Sequence, residues 1–154
     1  MKKLFLFIAI ITFSLTGTAQ ELTWHTDMAK ASELSIKEKK PLLLFFTGSD
    51  WCGWCIRLQK EVLKTAEFEK WAKENVILVE LDFPRRTPQD EAIKAQNYQM
   101  QNMFQVRGYP TIWFANPEKT EEGKMNLKGI GSTGYVAGGP KVWLDGASKI
   151  VANK

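Results

Sequence analysis

Apolar residues along the chain fall into short continuous runs separated by stretches with helical spacing. Leu42-Leu43-Leu44-Phe45-Phe46 is apolar without interruption, the pattern of a strand covered on both faces. Val76 to Asp82 is rich in branched residues and broken only by Glu80, and Thr111-Ile112-Trp113-Phe114-Ala115 has similar strand content. Leu22-Thr23-Trp24 reads as a short edge strand. Asp27 is placed to cap a helix over Met28 to Lys39, whose last turn carries cations that suit the helix dipole before Pro41 stops it. Cys55, Leu58, Val62 and Leu63 form the inner stripe of a helix from near Cys52 to about Lys64. Thr65 starts another, with Phe68, Trp71 and Ala72 inward.

Thr87-Pro88-Gln89-Asp90 combines a cap residue, a first-turn proline and an acid, and predicts a helix over Pro88 to Phe104. Asn116-Pro117 through Gly123 is turn chemistry, so Thr111 to Ala115 and Lys124 to Ile130 read as a hairpin. After a glycine-rich connection, Pro140 opens a last helix with Trp143, Leu144, Ala147, Ile150 and Val151 inward. This order predicts an α/β fold, a central mixed β-sheet flanked by helices on both faces.

The chain begins with Lys2-Lys3, an apolar run from Leu4 to Leu15 and the small residues Gly17-Thr18-Ala19, which together read as a signal peptide. The run is shorter than the ~20 residues that cross a bilayer, so residues 1–19 are expected to be cleaved rather than to anchor the protein. Residues 20–154 then form one domain with no stable membrane insertion. An exported protein, periplasmic or alternatively secreted, works where disulfides persist. The formal charge of +4 falls to +2 once Lys2 and Lys3 are removed, which gives no reason to expect nucleic acid as a partner. With 44% hydrophobic and 25% charged residues, the composition excludes disordered and polytopic membrane classes.

Two cysteines, Cys52 and Cys55, stand where the first apolar run turns into a helix. As a structural staple their four-residue loop is worth only about 2 kcal/mol. Zinc needs two further ligands and His25 is the single histidine, while haem attachment needs a histidine where Ile56 stands, so no metal is expected. Redox exchange fits the spacing. Cys52 at the helix start faces N–H groups that favour thiolate and is the expected nucleophile, with Cys55, one turn inside, as the resolving thiol. Gly53 is expected to let the backbone turn tightly, and neither Gly53 nor Trp54 brings a charge between the sulfurs.

Trp51-Cys52-Gly53-Trp54-Cys55 after an apolar strand resembles the active site of the thioredoxin superfamily, and Gly108-Tyr109-Pro110-Thr111 before a strand resembles its cis-proline segment, in the form found in protein disulfide isomerases. The resemblance runs from about Trp24 to the end and implies a three-layer thioredoxin-like fold. It further implies a cis Pro110, with Tyr109 offering backbone hydrogen bonds to a substrate segment. Trp51, Gly53 and Trp54 complete the expected substrate-binding rim, with Trp54 either exposed or packed.

Thioredoxins usually carry a buried aspartate six residues before the first cysteine; that position is Phe46 here. Glu80 is a candidate substitute proton acceptor, the alternative being that it faces solvent or a basic residue. The stretch from Phe83 to Phe104 is longer than in a minimal thioredoxin, and Arg85 and Arg86 there stand to contact a partner or solvent.

The functional expectation is an exported thiol-disulfide oxidoreductase that reduces disulfide-containing proteins without a bound cofactor and is recharged by a membrane thiol-transfer protein. A disulfide isomerase or oxidase, and a non-redox peptide-binding or chaperone-like module with idle cysteines, are the alternatives. Trp71, Trp113 and Trp143 are expected in the core, and His25 at the surface.

Overall fold

The computed structural model describes residues 22–123 and 125–153, so the expected signal peptide, residues 1–19, lies outside the described residues. The elements run β1 (Trp24–His25), α1 (Met28–Glu38), β2 (Leu42–Thr47), α2 (Gly53–Leu58), a π-helical turn (Gln59–Leu63), α3 (Ala66–Asn75), β3 (Ile77–Asp82), α4 (Glu91–Met103), β4 (Thr111–Lys119), β5 (Met125–Thr133) and α5 (Gly139–Ala152). The five strands form one mixed sheet in the order β1-β3-β2-β4-β5. β1, β3 and β2 are parallel, whereas β4 is antiparallel to β2 and to β5.

β2 is central because it can be. All six of its residues are buried, so it needs apolar side chains on both faces, and its leucine and phenylalanine run supplies them. Leu43 and Phe45 point into a core shared with Cys55, Leu58, Phe68 and Trp143, under α2, α3 and α5. Leu42, Leu44 and Phe46 point into the opposite core, with Met28 of α1 and Met100 of α4. The three layers expected from the pattern are thus present.

Caps account for most helix starts. Asp27 accepts from the Ala29 and Lys30 N–H groups, and the Thr65 hydroxyl accepts from the Phe68 N–H. The fourth helix begins later than expected: α4 is capped by Asp90, whose carboxylate accepts from Ala92 and Ile93. Thr87 does not cap it, because its N–H and hydroxyl are drawn to Asp50. The helix expected from Cys52 to Lys64 is one helical run with a π turn at its end, where the Lys64 N–H reaches the Gln59 carbonyl.

β4 passes through Asn116-Pro117 rather than turning there. Beyond Ala115 it has left β2 and pairs only with β5, so the missing N–H of Pro117 costs no inner ladder bond. Trp143 is buried, while Trp71 and Trp113 are half-buried against the two cores. Trp24 stacks on Phe68 with centroids 6.4 Å apart.

Phe45 is wholly buried between the sheet and the cysteine-bearing helix. Phe45→Ala is expected to lower unfolding free energy by about 3–5 kcal/mol in urea titrations.

Candidate functional site

The end of β2 delivers the chain to Cys52 through a tight turn, in which the Cys52 N–H donates to the Gly48 carbonyl at 2.8 Å. Glycine is required at position 48: a Cβ there would overlap the indole of Trp51. Cys52 is the N-cap of α2, in extended conformation, and its sulfur accepts the Cys55 N–H at 3.2 Å. The Cys55 N–H, which also reaches the Cys52 carbonyl at 3.1 Å, is thus shared with this sulfur at the helix start. The two cysteines are joined by a disulfide of 2.08 Å. Cys52 retains 6% exposure and Cys55 none, so attack from solvent is possible only at the first sulfur.

Gly53 does not serve the tight turn expected of it. Its φ lies outside the left-handed region, and an added Cβ would meet nothing within 4 Å. The turn does not need glycine; what Gly53 leaves is open space above the helix start.

Tyr109-Pro110 is a cis peptide, as the resemblance implied. Thr111, the next residue, pairs with Phe46 near the end of β2, which brings the segment beside the turn into Cys52. The Tyr109 ring meets Trp51 edge-on, at 5.8 Å and 80°, and packs against the cluster containing both cysteines. Burial, with Tyr98 adding to it, pushes the Tyr109 phenol up to about 12.

Trp51 is held from several sides. Its Nε1 donates to the Phe83 carbonyl at 2.8 Å, and the Arg85 guanidinium carbon lies 3.7 Å from its ring centroid. Trp54 projects outward, 56% exposed. Its ring lies 5.2 Å from Tyr135, and Arg57 sits over both rings. Glu61 ties this group together, accepting from Arg57 Nε at 2.7 Å and from the Tyr135 hydroxyl at 2.6 Å. The Tyr135 hydrogen bond, followed by that from Arg57, holds the Glu61 carboxyl below its ordinary value.

Phe46 is turned to the far core, so counting six residues back from Cys52 selects a side chain on the wrong face. The β2 residue on the cysteine side is Phe45, and its register partner on β3 is Glu80. Glu80 opens on a cavity of about 230 Å³ lined by Trp24, Phe45, Gln59, Leu63 and Lys64. Burial holds its carboxyl above the ordinary value, Asp82 adds to the shift and Lys64 opposes it. No hydrogen bond joins Glu80 to Cys55 among the described residues. Gln59, which lines the Glu80 cavity, lies one turn after Cys55 and donates its backbone N–H to the Cys55 carbonyl.

Sequence reasoning missed Asp50 and Tyr135. Asp50 lies in the turn before Trp51, and its carboxylate accepts the N–H groups of Arg85 at 3.0 Å, Arg86 at 2.8 Å and Thr87 at 2.9 Å. An aspartate at a strand-to-helix turn hints at backbone capping, but the loop it caps is 35 positions away. Tyr135 sits in a glycine-rich connection with no periodicity to place it. No group of three or more metal-ligating side chains occurs among the described residues, and no helix there is long and apolar enough to cross a membrane.

The hydrogen bond from the Arg85 N–H, then those from Arg86 and Thr87, hold Asp50 at about 2. Its folded-state value is depressed, so the clamp is complete above the ordinary carboxylate range and opens as pH falls through about 2. The Arg85, Arg86 and Thr87 amide resonances are expected to titrate with that low midpoint by NMR, and Asp50→Ala to raise their hydrogen-exchange rates. A midpoint near the ordinary value of 3.8 contradicts the clamp.

Residues 28–130 match the thioredoxin-like domain family. The chain is 36% identical over 119 residues to the disulfide bond reductase DsbH of Chlamydia pneumoniae, covering 77% of this chain and 71% of that one. It is 32% identical over 120 residues to the thioredoxin-related protein DsbJ of the same organism, covering 78% of this chain but 33% of that protein. A solved structure of a DsbH oxidoreductase superposes with a TM-score of 0.73 at 32% identity, covering 86% of each chain. With the cis proline, the strand order and the helix-start cysteine pair already in place, these matches show that the chain belongs to the thioredoxin-like family.

Proposed function

We propose that this protein is an exported thiol-disulfide oxidoreductase that reduces disulfides in other proteins. The observation that carries the reading is the unequal burial of the Cys52–Cys55 pair at a helix start, with an N–H directed at the outer sulfur. Homology to a disulfide bond reductase supports the direction of electron flow.

In the reduced protein, the Cys52 thiolate attacks one sulfur of a substrate disulfide. A mixed disulfide forms and the first substrate thiolate leaves. Cys55 then gives up its proton and attacks the Cys52 sulfur, closing Cys52–Cys55 and releasing the second substrate thiolate, which takes a proton. Two electrons pass to the substrate. A membrane thiol-transfer protein restores the dithiol, and the leader directs the domain to the periplasm.

Glu80 is the proton acceptor in this scheme, on a cavity that it shares with Gln59, one turn after Cys55 on the same helical run. Burial suits it to the task, because a carboxyl with a raised pKa exchanges protons closer to neutrality. Tyr109 and Pro110 hold an extended substrate segment through the Tyr109 backbone, and Trp51, Gly53 and Trp54 form the surface beneath it.

Cys52→Ser is expected to abolish disulfide reduction, while Cys55→Ala accumulates a mixed disulfide that gel analysis without reductant detects. Equilibration with glutathione is expected to place the pair on the order of −270 mV, as for thioredoxin; a potential near −120 mV, typical of a strong oxidant, overturns the reductase reading.

Glu80 also has a stability signature. Its folded-state pKa is raised, so its contribution is fully present below the ordinary carboxylate range and is lost as pH rises through the folded value. Glu80→Gln is expected to lose less stability than the parent as pH rises out of the ordinary carboxylate range in urea unfolding, and to slow the resolving step in stopped-flow. An unchanged resolving rate removes Glu80 from the scheme.

A further inference from the structure

The sequence contains four arginines: Arg57 on the cysteine-bearing helix, Arg85 stacked on Trp51, Arg86 donating to the Asp50 carbonyl, and Arg107 in the segment that leads into the cis proline. Arg57 follows Cys52 by five residues on α2. Arg85 and Arg86 ride on the loop whose amides Asp50 grips, and Arg107 precedes Tyr109 by two. Residues 47–57, 83–88, 104–111 and 133–138 contain no lysine and, of carboxylates, Asp50 alone, with Asp82 reaching in to Ser49 and Glu61 to Arg57 and Tyr135. The seventeen lysines are spread over the rest of the chain. The charge of these segments is therefore uneven in kind as well as in sign.

Segregation of guanidinium from ammonium has a chemical meaning. Arginine presents a rigid fork of N–H donors that matches a carboxylate and stacks on aromatic faces, whereas lysine is a hydrated point charge. Arg57 is paired with Glu61. Arg86 donates one N–H to the Asp50 carbonyl. Neither Arg85 nor Arg107 has an ion pair or side-chain hydrogen bond among the described residues. The Asp50 carboxylate is taken up by backbone amides and forms no ion pair with either guanidinium. Arg85 lies on the face of Trp51, the residue before Cys52, and its loop is held in place by three hydrogen bonds. Its entropy of ordering is thus lost on folding rather than on binding.

We infer that the arginine rim formed by Arg85, Arg86 and Arg107 recognises an acidic polypeptide segment, so that the preferred substrates carry aspartate or glutamate beside the disulfide that Cys52 attacks. This inference rests on the redox reading above and adds the substrate class to it. Carboxylates flanking the cystine meet the Arg85 fork on one side of the nucleophile and Arg107 on the cis-proline side. A substrate with lysines there meets like charge instead.

Three disulfide-bonded peptides of one sequence separate the possibilities, with the residues flanking the cystine made aspartate, serine or lysine. Second-order reduction rates are measured with the reduced protein at about 20 mM and about 1 M salt, where the Debye length shrinks to about 3 Å. The aspartate peptide is expected to react about fivefold faster than the serine peptide at low salt, and the lysine peptide more slowly than either. The order collapses at high salt. In the Arg85→Gln, Arg86→Gln, Arg107→Gln triple variant, the aspartate-to-serine ratio is expected to approach one; because a ratio is read, a general loss of activity in the variant cancels. Equal rates for all three peptides at low salt, or an order that survives in the triple variant, overturn the inference while leaving the redox reading intact. Failure to reduce any of the peptides overturns the redox reading and the inference with it.

Discussion

A sulfur placed at the N–H groups of a helix start is the interaction that the rest of this molecule serves. Cys52 caps α2 through its side chain, and the Cys55 N–H points at it. In the reduced protein that dipole favours the ionised thiol. The arrangement holds only if the preceding turn is rigid, and three contacts make it so. Gly48 leaves room for the Trp51 indole, Asp82 accepts from both the Ser49 N–H and its hydroxyl, and Asp50 binds the loop after β3. Behind the turn, a fully buried β2 fixes where it begins.

The two faces of β2 divide the labour. One face closes a core with α1 and α4 that contains no part of the disulfide; the other packs directly against the cysteine-bearing helix. On that second face the strand offers only the apolar Leu43 and Phe45, and the ionisable group lies one strand over, at Glu80. A carboxylate at the wall of a small cavity is shielded enough to be shifted, yet remains open to water. Lys64 at the same cavity keeps the shift from growing, since a cation nearby favours the charged form.

Much of this was readable from residues because local and long-range preferences agree. The buried β2 run, the Asp27 and Thr65 caps and the inward residues of α5 need no tertiary information to be placed. The cysteine pair and the cis proline were readable from their motif. The departures come from arrangements between distant segments that no local stretch reports. Thr87-Pro88 has the letters of a helix start, but Asp50 takes the Thr87 groups and Asp90 caps instead. Pro117 looks like a turn until β4 is seen to have parted from β2. Phe46, six residues before Cys52, faces the far core, because the period of two along a strand sends neighbouring residues to opposite faces. The arginine rim is assembled from separate segments, and nothing within any one of them announces the others.

The most direct test of the account is the ionisation of Cys52 itself. Alkylation of the reduced protein by iodoacetamide, followed against pH with Cys55 replaced by alanine, reports the thiolate fraction at the outer sulfur. The account predicts an apparent pKa clearly below the value of about 8.5 for free cysteine, with rapid reaction at neutral pH. A titration at or above that value, with Cys52 no more reactive than the free amino acid, contradicts it.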